Sequence, residues 1–484
     1  MPRNPRGNRK GKTARREKPA LPLLSHKPVA DNYAPQITAL PVKGEDVLAG
    51  VFFGKSSTPA VNRLPLAKNP GAPICSLPGN HTLVVAPTTA GKGTRVIVPT
   101  LLRSRRSSCI AIDAKGETAA ITARARAEFS HVHVINPWGE LGPTFEALGF
   151  PPATYNPLDI LDRNDPQAVA VAKSLAGTIC PREKGGIDSF WSTGAANFLT
   201  AVLLWIADQP GETKTLARAR EIITLGGEEL KFFLVKMAAS TAFGGAIKKH
   251  IAPFIDLAPE TCSGMISNLR HCTEFMSDPQ MKAATATSSF SMGDLTGKGM
   301  DRPTTVYLVI PPGSSETQKT WLRLMVAAAL HTFKLKPAGG GLRCMILVDG
   351  LGAMGRHDDL PRDMPILAAY GVDLTLTLQS LDQLKNLYGD DHAAILNNCA
   401  YRWFSNVQDG ASCKYLSDTL GTMTPDEVLN LGRDTAILLA PNSLPHYLRT
   451  VDYWDLQDAF SMFQKARPDL YWPLKFDRNP YIKT

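Results

Sequence analysis

The sequence predicts an α/β chain, a mostly parallel sheet interrupted by an inserted all-helical block. Three observations carry this. Apolar runs at residues 82–85, 108–112 and 131–135 are short and continuous, and helical stretches separate them. Strands buried on both faces need such runs, and strand–helix alternation builds a parallel sheet. From about residue 167 to 291 that rhythm stops. Apolar residues there recur at spacings of three and four, as in Phe198, Ala201, Val202 and Trp205, then Leu230, Phe233, Leu234 and Met237; this is the amphipathic helix pattern. Strand-like runs return at 305–310, 344–348, 373–378, 402–406 and 436–440.

The first strand leads directly into chemistry. Thr82-Leu83-Val84-Val85 runs into Ala86-Pro87-Thr88-Thr89-Ala90-Gly91-Lys92-Gly93-Thr94 and then a helix. Strand, small-residue turn and helix are the framework of a phosphate-binding loop. Backbone N–H groups face the anion and the lysine adds a point charge. The usual spelling is G-x-x-x-x-G-K-[ST]. Ala86 stands at its first glycine and Gly93 at its hydroxyl position, so the pattern is met in part.

Such a loop needs a carboxylate at the end of an apolar strand to hold the water shell of Mg²⁺. Asp349 follows Met345-Ile346-Leu347-Val348, and Gln379 ends the next strand with an amide able to touch a terminal phosphate or water. Ligands of parallel sheets bind beyond the carboxyl ends of the strands, where Ala86 and Asp113 also fall. Taken singly, each has an ordinary structural role open to it, since an Asp after a strand often caps a turn. The joint order points to nucleotide: loop, strand-Asp, long insertion, strand-Asp, strand-Gln.

In chain order, residues 1–45 read as a basic, then Pro-rich arm and linker. Eight Lys or Arg against Glu17 within residues 1–18 supply seven of the nine net positive charges of the 484-residue chain. The body is therefore nearly neutral, and the arm suits nucleic acid or an anionic membrane surface; a solvated tail is the plain alternative. Residues 46–166 form the first part of the nucleotide-binding domain, opening on short apolar pieces broken by Pro65, Pro70, Pro73 and Pro78. Pro99 is expected to kink or shorten the helix after the loop. Residues 167–291 are the inserted all-α domain and 292–466 the second part of the nucleotide-binding domain. Residues 467–484 are a C-terminal tail.

Composition excludes several classes. The eight cysteines never form C-x-x-C and read as core thiols rather than a disulfide frame or zinc site. His131 and His133 share a strand face with no third ligand nearby. The start of the chain lacks the apolar core of a secretory signal. No apolar run approaches the ~20 residues of a bilayer span; the best, residues 198–207, is half that and ends at Asp208.

These residues resemble the TraG-like coupling ATPases of type IV secretion and conjugation. The resemblance runs from about Leu83 to Asp452 and rests on several separate motifs. They are the loop with Ile97-Val98-Pro99-Thr100-Leu101-Leu102, Asp113-Ala114-Lys115-Gly116-Glu117, Tyr155-Asn156-Pro157-Leu158, and Phe190-Trp191-Ser192. Further on come Gln379-Ser380-Leu381-Asp382-Gln383-Leu384 with Tyr388-Gly389, and Thr424-Pro425-Asp426-Glu427-Val428. In that family a glycine after the lysine is common.

The resemblance implies a RecA-like P-loop domain in a homo-hexameric ring, with ATP and Mg²⁺ between subunits. It implies that Thr88, Thr89, Ala90, Gly91, Lys92, Gly93 and Thr94 cradle the phosphates, Lys92 holding the β and γ groups. Asp349, with Thr94 as a second candidate, would hold Mg²⁺, and Gln379 would sense the γ-phosphate. An arginine from the neighbouring subunit would complete the catalytic set, with Arg402 and Arg356 as candidates. The helical insertion would meet single-stranded DNA, a relaxase–DNA complex or a protein effector, and the ring would deliver it to the type IV secretion channel. The expected place is the bacterial cytoplasm at the inner membrane, through anionic lipid or a separate membrane subunit.

Two features depart from the family pattern. Gly350 stands where the water-activating glutamate is usual, and Asp358 and Asp359 lie a turn or more further on. Loss of a group that positions the attacking water costs about 10²–10⁴-fold. A nucleotide-gated recruitment platform with little turnover is therefore the alternative to a driving ATPase, and a RecA-like DNA translocase outside secretion is the third reading. The other concerns the two amino-terminal membrane helices of many members, which this sequence, opening on a basic arm, is not expected to form. Trp191 is expected as a packing anchor rather than a contact to nucleic acid.

Overall fold

The computed structural model describes residues 50–56, 73–181, 186–256, 258–313, 315–335, 340–456 and 475–481. The arm expected over residues 1–45 lies outside them. The strands in chain order are β1 (Phe52–Ser56), β2 (Pro73–Cys75), β3 (His81–Val85), β4 (Ser108–Asp113), β5 (His131–Ile135) and β6 (Thr304–Val309). They continue as β7 (Cys344–Val348), β8 (Val372–Leu378), β9 (Cys399–Ser405), β10 (Thr435–Leu439) and β11 (His446–Arg449). All join one sheet in the order β2-β1-β11-β10-β9-β3-β8-β7-β4-β6-β5. From β9 to β5 every neighbouring pair is parallel. Beyond β9 the sheet continues antiparallel through β10, β11, β1 and β2.

The continuous apolar runs are explained by burial on both faces. Every residue of β3, β4, β6, β7 and β8 is buried. Side chains alternate between two cores, as the pleat requires. Ile110, Ile112, Ile346 and Val348 face a large core that also takes in the helices Ala168–Ile179 and Glu316–Lys334. Cys109, Ala111, Met345 and Leu347 face Ile97 and Leu101 of the loop helix and Ala119, Ala120 and Ala123 of the helix Glu117–Ala127. Those alanines let the second helix sit close to the sheet.

Between β5 and β6 the described chain is helical, with Gly186–Asp208 as its longest element. Its apolar residues share the large core with the sheet. One stretch of that helix, Phe190–Asp208, is long and apolar enough to cross a membrane, a length the sequence reading missed by counting only from Phe198. In the fold 67% of it is buried inside the protein, as the centre of the helical block requires.

Three elements differ from expectation. β11 is polar, His446-Tyr447-Leu448-Arg449, and forms because β10 and β1 supply its pairing on both sides. β9 begins at Cys399, three residues before the apolar run that marks it. Pro99 sits in the first turn of Val98–Arg103, behind a π-wound turn at Gly93–Ile97, where a missing N–H is tolerated.

Candidate nucleotide-binding site

The loop grows out of β3 without losing the sheet: the Ala86 N–H donates to the Leu378 carbonyl at 3.0 Å. Thr88–Ala90 forms one tight turn, and Gly91 reverses the chain at φ +76°. A Cβ at Gly91 would lie 2.9 Å from the Thr94 hydroxyl and 3.1 Å from the Arg95 side chain, so glycine is required there on two counts. Lys92 then starts the helix with only 9% of its surface exposed. Its Nζ donates to the carbonyls of Ala86 at 2.7 Å and Pro87 at 3.2 Å. Burial pushes the Lys92 pKa down, and the nearby Asp349 carboxylate opposes this. A half-desolvated ammonium folded over its own loop, at a helix start whose first N–H groups lack intrahelical partners, is a donor set suited to polyphosphate.

Asp349 arrives from β7, with β8 between it and the loop strand. The Thr377 hydroxyl donates to its Oδ1 at 3.2 Å and accepts the Gly350 N–H at 2.7 Å. Its Oδ2 lies 3.9 Å from where a Cβ on Gly93 would stand, so loop and carboxylate meet. Burial raises the Asp349 pKa; Lys92, then Thr377 and Lys115, pull it back. These surroundings fit a carboxylate that approaches a hydrated Mg²⁺. Asp113 is level with Asp349 on the neighbouring β4. Its Oδ2 accepts the Ala119 N–H at 2.8 Å, which makes it a cap of the helix Glu117–Ala127. Burial, reinforced by Asp349, pushes its pKa up to about 7.

The other sequence candidates divide sharply. Gln379 follows β8 directly beside Ala86, since Val85 pairs with Leu378. Its side chain is exposed, and its N–H donates to Gln383 Oε1 at 2.9 Å. Gln383 Nε2 in turn approaches within 3.0 Å of a Cβ position on Gly352, which ties the Gln379 turn to the segment after Asp349. Thr88 is exposed at the mouth of the loop, Ala90 is buried beneath it, and Thr89 lies between them in the same turn.

Thr94 faces elsewhere: its hydroxyl donates to Asp452 Oδ1 at 2.7 Å, with the Gly91 carbonyl 3.3 Å away. Arg402 is not brought to the loop. It lies in mid-strand opposite Leu83, bonded to the Cys399 carbonyl and to the Tyr415 hydroxyl. Arg356 is held within its own chain by Asp358, Asp391 and the Tyr388 carbonyl. Asp359 pairs with Arg362 at 2.9 Å.

Several motif residues have structural tasks. Trp191 packs over Gly264, where a Cβ would come within 2.8 Å of the ring. Asn156 caps the turn Pro157–Ile160. Thr424 and Glu427 form a reciprocal capping box on Pro425–Leu429. His131 pairs with Asp301 and His133 stacks on Phe290. Among the described residues there is no group of three or more metal-ligating side chains. Sequence reasoning missed Thr377, whose hydroxyl in a wholly buried strand was the available signal. It also missed Asp452, for which the sequence carries no signal, because its partner Thr94 is 358 residues away.

The placement of a phosphate loop on β3, a carboxylate on β7 and an amide on the intervening β8 defines a RecA-like P-loop fold. Residues 45–424 match the family model for type IV secretory system conjugative DNA transfer, and the chain belongs to that family. It is 26% identical over 385 residues to the conjugal transfer protein TraG of Escherichia coli, covering 74% of this chain and 58% of TraG. It is 28% identical over 354 residues to protein VirD4 of Agrobacterium fabrum, covering 71% of this chain and 50% of VirD4. The chain thus spans between half and three-fifths of the length of these curated relatives. Among solved structures, the unbound conjugative coupling protein TrwB matches with a TM-score of 0.58 at 16% identity, over 78% of this chain and 86% of that one. TrwB has also been solved with ADP and Mg²⁺, with a TM-score of 0.57.

Proposed function

We propose that this protein is the ATP-binding coupling component of a type IV secretion or conjugation system, and that it recruits a DNA–protein substrate and drives its transfer by ATP hydrolysis. The approach of the loop to Asp349 at the carboxyl ends of β3 and β7, with Asp349 Oδ2 3.9 Å from a Cβ position on Gly93, carries the reading. The complex of TrwB with ADP and Mg²⁺ supports the same ligands here. When bound, Mg²⁺ neutralises phosphate charge. Lys92 and the backbone of residues 91–94 hold the phosphates, Asp349 holds the metal's water shell, and Gln379 reports on the γ-phosphate. Subunits assemble as a hexamer at the inner membrane, with the helical block turned to the cargo and the basic arm to DNA or anionic lipid. Neither Arg402 nor Arg356 is free to act across a subunit boundary without giving up the partners described above.

A second reading, a nucleotide-gated platform with little turnover, is favoured by Gly350. The residue sits at φ +82° with its N–H bonded to Thr377, and offers no carboxylate. A Cβ there would meet nothing within 4 Å, so the cost of Gly350→Glu is backbone strain of about 1–2 kcal/mol alone. Steady-state ATPase with and without single-stranded DNA separates the readings. A motor shows turnover that DNA stimulates and Lys92→Ala removes. A platform shows little turnover until Gly350→Glu supplies the carboxylate. Turnover in Lys92→Ala equal to wild type rejects the site itself.

A further inference from the structure

The chain beyond β11 grips both loops that frame the phosphate site. At one end, Asp452 Oδ1 accepts the Thr94 hydroxyl at 2.7 Å and Arg95 Nε at 3.2 Å. Arg95 continues to Asp434 at 3.2 Å and to the Arg433 carbonyl at 2.8 Å. The Arg95 and Asp452 side chains are only 17% and 19% exposed, which sets this pair apart from a solvent-screened surface bridge. The turn is π-wound over Gly93–Ile97, and Thr94 and Arg95 share one acceptor there. Such turns recur at functional sites.

At the other end, residues 475–481 lie along the helix Glu117–Ala127. The Asp477 N–H donates to the Ile121 carbonyl at 3.0 Å, and its carboxylate pairs with Arg124. Asn479, 5% exposed, donates to Glu117. The Tyr481 hydroxyl donates to the Lys115 carbonyl at 2.8 Å. Lys115 belongs to the turn after Asp113 and lies within electrostatic reach of Asp349. Tyr453, next to Asp452, meets Phe476 edge-on with ring centroids 5.0 Å apart, so the two C-terminal segments touch each other.

We infer that Asp452 and Tyr481 are positioning residues for the phosphate site, and that nucleotide binding is coupled to seating of residues 475–481 on the helix Glu117–Ala127. The inference rests on the nucleotide reading of the site. A ligand that orders the loop at residues 91–94 strengthens the grip of Asp452, and by reciprocity the seated segment strengthens binding of the ligand.

The test uses the full chain, a fluorescent ATP analogue with Mg²⁺, and hydrogen exchange. Asp452→Ala and Tyr481→Phe each weaken nucleotide affinity about fivefold or more, read at a temperature where each variant is folded. Asp452→Asn, which keeps an acceptor for Thr94, recovers part of the loss. Nucleotide slows exchange of the Asp477 amide. Wild type that binds no nucleotide overturns the site reading and this inference together. Binding that is lost in Lys92→Ala but complete in Asp452→Ala and Tyr481→Phe overturns this inference alone, as does unchanged exchange at Asp477. Should Asp452→Ala not fold, Tyr481→Phe and the exchange measurement decide.

Discussion

Gly91 carries the sharpest steric demand of the loop. Alanine there combines a left-handed backbone with a Cβ 2.9 Å from the Thr94 hydroxyl. Gly91→Ala therefore costs about 1 kcal/mol or more in stability, read by urea unfolding, and lowers nucleotide affinity by distorting the turn. Full affinity in that variant means the loop conformation described here is not the binding one. Lys92, Asp349 and Gln379 were legible as candidates because each ends or follows an apolar strand in the expected order. Arg402 is a candidate only as a group supplied by a neighbouring subunit; within its own chain its guanidinium bonds to Tyr415 and to a carbonyl of its own strand. Asp452 was not legible at all, since nothing local marks a carboxylate whose partners Thr94 and Arg95 lie more than 350 residues earlier in the chain.

Elements follow the same logic of local signal and tertiary supply. The parallel strands were legible because burial on both faces forces continuous apolar runs, whereas β11 was not, because its neighbours rather than its composition make it a strand. That strand carries a pH dependence. Burial pushes the His446 pKa down to about 4, and its Nε2 is buried without a hydrogen-bond partner. The unfolded chain titrates near 6.5. The stability contribution is thus complete above that value and is lost as pH falls towards 4. Other histidines lowered by burial, His81 and His357 among them, act in the same direction, so denaturant midpoints of wild type should drop more steeply across this window than those of His446→Leu; parallel curves would contradict the assignment. In the helical block, the helices Gly186–Asp208 and Pro259–Cys272 approach closely through Gly264, over which Trp191 lies. Gly264→Ala should destabilise by about 1–3 kcal/mol through overpacking, and Trp191→Leu in the same chain should restore part of it. A neutral Gly264→Ala would leave Trp191 free for another role.

At the scale of the whole molecule, the order of motifs gave more than any motif alone, because a partial loop, a strand-Asp and a strand-Gln become one site only when the sheet sets β3, β8 and β7 side by side. The basic arm makes a separate claim. A chain beginning at Asp46 should bind single-stranded DNA more weakly than the full chain, with a shallower dependence on salt; equal affinity and slope would remove DNA from the arm's proposed partners. The central claim concerns the triphosphate. Calorimetric titration of the purified protein with ATP and Mg²⁺ tests it most directly, comparing wild type with Lys92→Ala and Asp349→Asn. The account predicts saturable binding in wild type, none in Lys92→Ala, and binding that no longer responds to Mg²⁺ in Asp349→Asn. Binding by folded Lys92→Ala as tight as wild type would contradict it.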